Sequence, residues 1–257
     1  MSRMLFYLGT HRPSHIDRTN VPLFVSARQL RRRKKEFSQK GRIAIDSGGF
    51  TELSMFGEWT RTPAEYVNDL NRLVDVGLSP DWASQQDWMV EPAMLEKTGK
   101  TVQDHQRLTV ANFLELRSLE CRVHVIPVIQ GWTLSDYEEC IRMYEREGVD
   151  LTRESTVGVG SVCRRQGSQE ILDLMRMVHS EGISAHGFGV KTKGVELYSR
   201  HLKSADSMAW SYSARAGKRH CINCSTMPAG PQTKNCANCL YFALEWRHDL
   251  LKRGRML

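Results

Sequence analysis

The feature of this sequence that most limits its fold is the alternation of short, apolar, β-rich runs with segments of helical periodicity. The β-rich runs, up to eight in number, are "MLFYLGT", "VPLFVSA", "IAIDSGGF", "PDWASQQDW", "VHVIPVIQG", "TVGVGSV", "ISAHGFGV" and "ADSMAWS". Residues 63–77, 134–148 and 169–182 read as amphipathic helices, and Ser135 with Glu138 three residues later predicts the start of the second. This alternation predicts an α/β protein with parallel strands, and eight such units close into a (β/α)8 TIM-type barrel. A doubly wound open sheet is the alternative.

The length of 257 residues suits one barrel of about 250 residues as well as two smaller domains. Hydrophobic residues at 40% and charged residues at 25% are typical of folded globular proteins, which excludes a disordered chain. The sequence contains no apolar run of about 18 residues and no secretory signal pattern at its start. We therefore expect a cytoplasmic protein that has no membrane partner.

Four of the seven cysteines form two CxxC pairs separated by eleven residues, in "CINCSTMPAGPQTKNCANC". They are Cys221, Cys224, Cys236 and Cys239. In a cytoplasmic protein this spacing favours a structural Zn²⁺, because each pair directs two thiolates at one tetrahedral ion and four thiolates leave no open position. Disulfides or a redox pair are the alternatives, and the neighbouring His220 or His248 can replace one cysteine. The predicted domains are a barrel over 1–216 and a zinc-binding segment over 217–257.

The formal net charge is +7, and much of the excess lies in two basic blocks. One block is Arg28 followed by "RRRKK" at 31–35, and the other combines "ARAGKRH" with the C-terminal "LLKRGRML". Such blocks are either solvated helix faces or surfaces that bind a phosphate backbone. We favour the second interpretation, which predicts a nucleic-acid partner.

Polar side chains and glycines collect where the predicted strands end. They are Asp46, Asp87, Gln130, Gly131, Gly158, Gly160, Ser161, His186, Gly187, Gly189 and Asp206. Each residue alone is typical of a turn or a helix cap. Because a TIM barrel brings the carboxyl ends of its strands to one face, the set predicts a concave site for a small planar ligand.

These residues resemble the motifs of the tRNA-guanine transglycosylase superfamily, in order along most of the chain. The family's Asp-Ser-Gly-Gly-Phe signature is present unchanged at 46–50. Asp87 matches the second base-recognising aspartate, although its context is "QDW", and Gln130 with Gly131 resembles the family's Val-Gln-Gly. Gly160 and Ser161 fall in the loop that offers backbone groups to the base.

Further along the chain, the segment 188–190 resembles the family's Met-Gly-Val, whose first side chain lies under the base. The family's nucleophilic aspartate is followed by an arginine nine residues later, and Asp206 with Arg215 keeps that spacing. Asp249 lies beyond the cysteines in a helical context and is not favoured as the nucleophile.

The chain departs from tRNA-modifying members in its shorter length, its paired CxxC motifs and its altered intermediate motifs. In these respects it is more similar to the DpdA branch, which the resemblance implies inserts 7-deazaguanine bases into DNA in bacteria and phages. A tRNA-guanine transglycosylase, or its noncatalytic partner subunit, is the alternative. A zinc-ribbon nucleic-acid-binding protein without activity is disfavoured, because it has no need for the carboxylates of Asp46 and Asp206.

The resemblance implies a base exchange in which Asp206 attacks C1′ of the sugar and Asp46 manages protons at the base. It implies no organic cofactor, and a free 7-deazaguanine base is the co-substrate. Asp87 is expected to accept hydrogen bonds from the base, Gln130 and the Gly160 amide to donate to it, and Phe188 to stack on it. The substrate-binding set is Ser47, Gly48, Asp87, Gln130, Gly131, Gly160, Ser161, Phe188, Gly189 and Arg215.

Overall fold

The fold is a parallel α/β barrel, seen in a computed structural model that describes residues 4–165, 167–226 and 234–254. The strands are β1 (Leu5–Thr10), β2 (Leu23–Ser26), β3 (Ile43–Asp46), β4 (Trp82–Ser84), β5 (Val125–Ile126), β6 (Val128–Ile129), β7 (Val157–Val159), β8 (Ala185–Gly187) and β9 (Ser204–Ser207). They form one sheet in the order β5-β4-β3-β2-β1-β9-β8-β7-β6, and every pairing is parallel. The predicted α/β barrel is therefore confirmed, and the open sheet is excluded.

The two ends of this sheet meet in a single stretch of chain. β5 and β6 are separated only by Pro127, and β5 pairs with β4 while β6 pairs with β7. Proline has no backbone N–H to donate to a neighbouring strand, which is a physical reason for the interruption. The stretch 125–129 thus acts as one barrel strand in two halves, and each of the eight predicted β-rich runs contributes one barrel strand.

Helices on the outside of the barrel follow most of the strands. They are α1 (Ala27–Leu30), α2 (Gly49–Phe56), α3 (Pro63–Asp75), α4 (Pro92–Thr98), α5 (Val102–Ser118), α6 (Leu134–Arg146), α7 (Gln169–Ser180), α8 (Thr192–Tyr198), α9 (Ala209–Ala216), α10 (Ile222–Ser225) and α11 (Leu240–Arg253). Helix α6 begins after Thr133, whose side chain accepts from the Asp136 amide in a capping box, so the predicted cap at Ser135 is two residues late.

The interior of the barrel is filled by side chains. Tyr7, Phe24 and Trp82 form a buried cluster inside it, against which Phe188 packs. The alternate residues of β1, Phe6 and Leu8, face the helices instead, as the period of a strand requires. The aromatic cluster fills the barrel interior below the carboxyl ends of the strands, where a cavity opens.

Helix α11 belongs to the outer helical layer although it follows the cysteine pairs. Leu250 and Leu251 are buried in the core between strands and helices, and the Trp246 ring lies 6.4 Å from that of Phe6 on β1. The Arg247 guanidinium donates to the Phe6 carbonyl at 3.3 Å. The domain boundary at 216/217 remains a prediction for the cysteine-bearing segment, but α11 itself packs with the barrel.

None of the helices in the described part of the chain combines the length and apolar character needed to cross a membrane.

Because α11 covers β1, we expect Leu250→Ala to lower the free energy of unfolding by about 2–5 kcal/mol, the usual result of opening a cavity at a buried leucine. Tyr241→Ala on the same helix is the control, since Tyr241 is 53% exposed and should change stability by less than about 0.5 kcal/mol. Urea unfolding of both variants measures the difference. Equal effects would contradict the assignment of α11 to the barrel core.

Candidate active site

A cavity of about 470 Å³ lies at the carboxyl ends of the strands. Seven of the predicted site residues line it, namely Asp46, Asp87, Gly160, Ser161, Phe188, Gly189 and Asp206. The other five, Ser47, Gly48, Gln130, Gly131 and Arg215, are not among its lining residues. The barrel thus gathers seven residues that are spread over 161 positions of the sequence (from 46 to 206).

Asp46 is the last residue of β3, and its carboxylate faces this cavity. Burial raises the pKa of Asp46 to about 6, and the nearby charge of Asp206 contributes to the rise. Hydrogen bonds from the Gly48 amide and the Ser26 hydroxyl oppose the rise in pKa. Ser26 is the strand neighbour of Asp46 in the β2–β3 register, so the sheet itself supplies this donor. A carboxyl group with a pKa near neutrality can both give and take a proton.

The glycines after Asp46 turn the chain from strand to helix within two residues. Gly48 has a φ of +92°, a conformation that favours glycine, and it is the N-cap residue of α2. A Cβ atom on Gly48 would lie 2.8 Å from the Arg28 side chain. The turn thereby directs the Gly48 amide at the Asp46 carboxylate and places Gly49 in the wall of the cavity. Ser47 is buried beside it, and its amide donates to the Ser84 hydroxyl at 2.9 Å.

A chain of polar contacts connects Asp87 to the opposite side of the cavity. The fully buried Gln130 donates from Nε2 to Asp87 Oδ2 at 2.5 Å, and its Oε1 accepts from the Ser161 hydroxyl at 2.7 Å. Ser161 Oγ also lies 2.9 Å from the Glu91 carboxylate, which lines the cavity. Burial raises the pKa of Asp87 to about 7, and the charges of Asp46 and Glu91 add to this, while Gln130 lowers it.

The structure therefore gives Gln130 and Gly160 different roles from those that the sequence suggested. Gln130 lies behind Asp87, and its amide nitrogen is already bonded to that carboxylate instead of facing a base. The Gly160 amide donates to the Ile129 carbonyl at 3.0 Å, so it is not available as a donor to a base. A Cβ atom on Gly160 would lie 2.2 Å from Gln130 Nε2, so the glycine makes room for this side chain. A Cβ atom on Gly131 would lie 2.7 Å from Tyr137, so this glycine has a packing role.

Asp206 lies on β9, across the cavity from Asp87, and only 6% of its surface is exposed. Its Oδ1 accepts from the Gly189 amide at 2.9 Å. Gly189 has a φ of +64°, and this turn aims the amide at the carboxylate. Phe188 beside it contributes an aromatic wall of the cavity. The two carboxylates predicted to perform the chemistry are thus both inside one cavity.

Several residues of the cavity wall were not predicted from the sequence. They are Ser26, Arg28, Phe50, Glu91 and Met208, with His11 at the rim. Phe50 belongs to the Asp-Ser-Gly-Gly-Phe signature, and Met208 directly follows the end of β9. The sequence therefore offered a reason to expect these two residues at the cavity. Glu91 follows no predicted strand directly, so the sequence contained no signal for it. In the structure it lies in the cavity wall and accepts from the Ser161 hydroxyl.

The two basic blocks were expected to form a surface for a phosphate backbone, but residues 31–35 of the first block do not line the cavity. In the block 31–35, Arg31 pairs with Asp69 at 3.0 Å and Arg33 with Asp17 at 2.7 Å, and no residue of the block lines the cavity. Arg28 does line it, but the Arg28 guanidinium is paired with the buried Glu52. Arg215 is exposed on α9. The last three residues of the C-terminal basic block lie outside the described residues.

The four predicted cysteine ligands come together between α9 and α11. Their sulfur atoms lie within 4.8 Å of one another, and three of the pairs are separated by 3.8, 3.9 and 3.8 Å. Four thiolates at about 2.3 Å from a tetrahedral ion are about 3.8 Å apart, so the cluster has the size of a metal site. Ser211 on α9 donates to the Ala237 carbonyl at 2.8 Å, which ties the cluster to the barrel.

The raised pKa of Asp87 predicts a pH-dependent effect of Asp87→Asn on stability. A raised pKa means that Asp87 contributes favourably below its ordinary pKa near 4, and that this contribution is lost as the pH rises through about 7. Asparagine resembles the protonated form and does not ionise. We therefore expect the variant to unfold like the wild type at pH 4.5 but to be more stable at pH 8, by about 1.4 kcal/mol for each unit of the shift. Urea unfolding at both pH values checks this, and an equal difference at both would contradict it.

A family model described as DpdA, DeoxyPurine in DNA protein A, matches residues 2–256. No curated protein matches the sequence. Because the match extends over nearly the whole chain, including the cavity and the cysteine cluster, the protein belongs to the DpdA family.

Proposed function

We propose that this protein replaces guanine in DNA by a free 7-deazaguanine derivative, such as 7-cyano-7-deazaguanine, through a covalent intermediate on Asp206. The observation that carries the proposal is the enclosure of Asp46 and Asp206 in one cavity of a DpdA-family barrel. A pair of carboxylates is what the exchange of a base on a sugar requires, since one group attacks the sugar and the other moves protons.

In the first half of the reaction, an Asp206 carboxylate oxygen forms a bond to C1′ as the bond from C1′ to guanine N9 breaks. The departing base keeps the electron pair of that bond and takes a proton. Asp46, with a pKa of about 6, is the donor inside the cavity. The product of this step is a glycosyl ester of Asp206, with the DNA backbone intact.

The second half reverses these steps with the new base. Asp46, now ionised, takes the N9 proton of the incoming base, and the N9 electron pair forms the new bond to C1′. The ester bond breaks, and its electron pair returns to the Asp206 carboxylate. Asp46 ends the cycle protonated as it began, so no other proton donor or cofactor is needed.

The base is held between Phe188 on one side of the cavity and the carboxylate of Asp87. Ionised Asp87 accepts hydrogen bonds from the N1–H and the exocyclic amine of a guanine-like base. Gln130 fixes Asp87 Oδ2 from behind, so that the carboxylate does not rotate as the base exchanges. Gln130 and Ser161 therefore act on recognition through Asp87 and not by direct contact.

Guanine stacked in duplex DNA has to leave the helix to reach a cavity of this kind. Exposed basic residues adjoin the cavity wall, including Arg12 next to His11 and Arg164 next to Cys163. The Arg164 guanidinium lies 5.7 Å from the Phe50 ring at the mouth. These residues, in place of the 31–35 block, are suited to hold the phosphates around a flipped nucleotide.

We also propose that the cysteine cluster holds a structural Zn²⁺ bound by Cys221, Cys224, Cys236 and Cys239. The sulfur spacing supports this, and four thiolate ligands leave no position for a substrate. Bound there, the ion supplies folding energy to the segment between α9 and α11 and takes no part in the base exchange.

Purified protein should incorporate radiolabelled guanine into DNA, and Asp206→Asn should abolish this because asparagine has no anionic oxygen to attack C1′. Asp249→Asn, an exposed acid on α11, is the matched control and should retain wild-type incorporation. A parallel reaction with tRNA shows whether DNA or tRNA is the substrate. If only tRNA is labelled, the proposed DNA substrate is wrong and tRNA is the substrate. If Asp206→Asn retains activity, Asp206 is not the nucleophile.

Metal analysis should find one Zn²⁺ per chain, and Cys236→Ser should reduce it, because three thiolates bind the ion less tightly than four. The control is Cys121→Ser, which alters a partly buried cysteine outside the cluster and should keep the metal. A folded wild-type protein without metal would contradict the proposal.

A further inference from the structure

His186 is a fully buried histidine to which the proposed reaction assigns no role. It lies on β8, where the strand register pairs it with Ser204 of β9. Ser204 and Asp206 are two residues apart on β9, so their side chains point to the same side of the sheet. The barrel therefore sets the His186 imidazole directly beside the carboxylate of Asp206.

Aromatic side chains surround the imidazole of His186. The rings are those of Trp82 at 4.7 Å, Phe188 at 4.9 Å, Phe24 at 5.5 Å and Tyr7 at 6.1 Å between centroids. This environment excludes water from the ring and limits its rotation. Both ring nitrogens must therefore find their hydrogen-bond partners within the protein.

Each nitrogen faces one side chain of β9. Nδ1 lies 2.9 Å from the Ser204 hydroxyl, and Nε2 lies 3.4 Å from Asp206 Oδ1. Within the described residues Nε2 forms no hydrogen bond, and Asp206 Oδ1 is a carboxylate oxygen that it faces at the edge of hydrogen-bond distance. An ionised carboxylate can only accept, so Nε2 carries a proton, and the Ser204 hydroxyl then donates to Nδ1. The surroundings thus select the tautomer whose Nε2–H faces Asp206 and can donate to it when the carboxylate moves closer.

We propose that His186 is a positioning residue that, together with the Gly189 amide, holds Asp206 Oδ1 and leaves Oδ2 as the oxygen that attacks C1′. This inference rests on the proposed function. The Gly189 amide and His186 Nε2 both approach Oδ1, the former at 2.9 Å and the latter at 3.4 Å. With one oxygen held from two sides, the carboxylate does not rotate about its bond to the side chain.

The same two donors act throughout the exchange. When Oδ2 bonds to C1′, Oδ1 becomes the carbonyl oxygen of the ester and keeps both donors. When the incoming base displaces the ester, negative charge returns to the carboxylate, and the two donors stabilise it as it forms. Loss of the His186 donor should therefore slow the chemical steps without weakening binding of the free base.

A histidine that only fills the barrel interior would behave differently on substitution. Leucine has a similar volume and no polar atom, so a packing role predicts that His186→Leu folds and works like the wild type. Glutamine retains an N–H donor at a position comparable to Nε2. Comparing the two variants therefore distinguishes the effect of the N–H donor on activity from the effect of side-chain volume.

We expect His186→Leu to lower kcat for base exchange about 10- to 100-fold, less than the loss of a donor to a developing oxyanion, because Oδ1 is not the oxygen that attacks C1′. KM for the free base should change by no more than about twofold, and His186→Gln should recover most of the lost kcat. Thermal unfolding of His186→Leu should occur at or above the wild-type temperature. Wild-type kcat in His186→Leu, or equal losses in the two variants, would overturn the proposal.

A second measurement does not depend on activity or on the folding of the variants at position 186. In protein labelled with ¹⁵N-histidine, NMR should show His186 protonated at Nε2, and Asp206→Asn should shift its ring signals. His105 is the internal control, because it is equally buried but its Nδ1 lies 2.7 Å from the Met89 carbonyl and its Nε2 lies 2.8 Å from the Thr98 hydroxyl, so neither nitrogen pairs with Asp206. His186 without a proton on Nε2, or unaffected by Asp206→Asn, would overturn the inference. If the expected signals occur but neither DNA nor tRNA is labelled, the proposed function fails and the interaction of His186 with Asp206 stands.

Discussion

Closure of the barrel through the split strand 125–129 is the constraint on which the site depends. β5 pairs with β4, and β6 pairs with β7, so this stretch joins the two ends of the sheet. Gln130 follows β6 directly and connects Asp87 after β4 to Ser161 after β7. In an open sheet these residues would lie at opposite edges. The hydrogen bonds of the barrel therefore create the arrangement of the cavity before any ligand is present.

The cavity concentrates negative charge in a chain whose net charge is +7. Asp46, Asp87, Glu91 and Asp206 all line it. Burial and mutual repulsion raise the pKa of Asp46 to about 6 and that of Asp87 to about 7. Because their pKa values are raised, the ionised forms of Asp46 and Asp87 lower the free energy of unfolding at high pH, whereas exposed carboxylates do not. Such a loss of stability is common where side chains are arranged for chemistry. The same raised pKa makes Asp46 suitable for moving protons near neutral pH.

The cysteine cluster lies between the last two long helices and also reaches the rim of the cavity. Asn238, between Cys236 and Cys239, contacts the side chain of His11. His11 lines the cavity and stacks on Trp210, whose indole donates to the Gly9 carbonyl at 2.8 Å. An ion that orders the cysteines would thereby also order one side of the mouth, while α11 beyond the cluster packs against β1.

The sequence by itself determined the alternation of strands and helices, the CxxC pairs and the carboxylates at strand ends, because these are local patterns with a physical period or spacing. Only the tertiary structure decided which of those residues face the cavity. The Gly160 amide is used by the sheet, Gln130 lies behind Asp87, and Arg31 and Arg33 pair with distant acids. Likewise, nothing local distinguishes His186 from a packing residue, since its place beside Asp206 comes from the register of β8 on β9. Contacts between residues far apart in the chain depend on how the barrel closes, and short-range patterns do not contain that information.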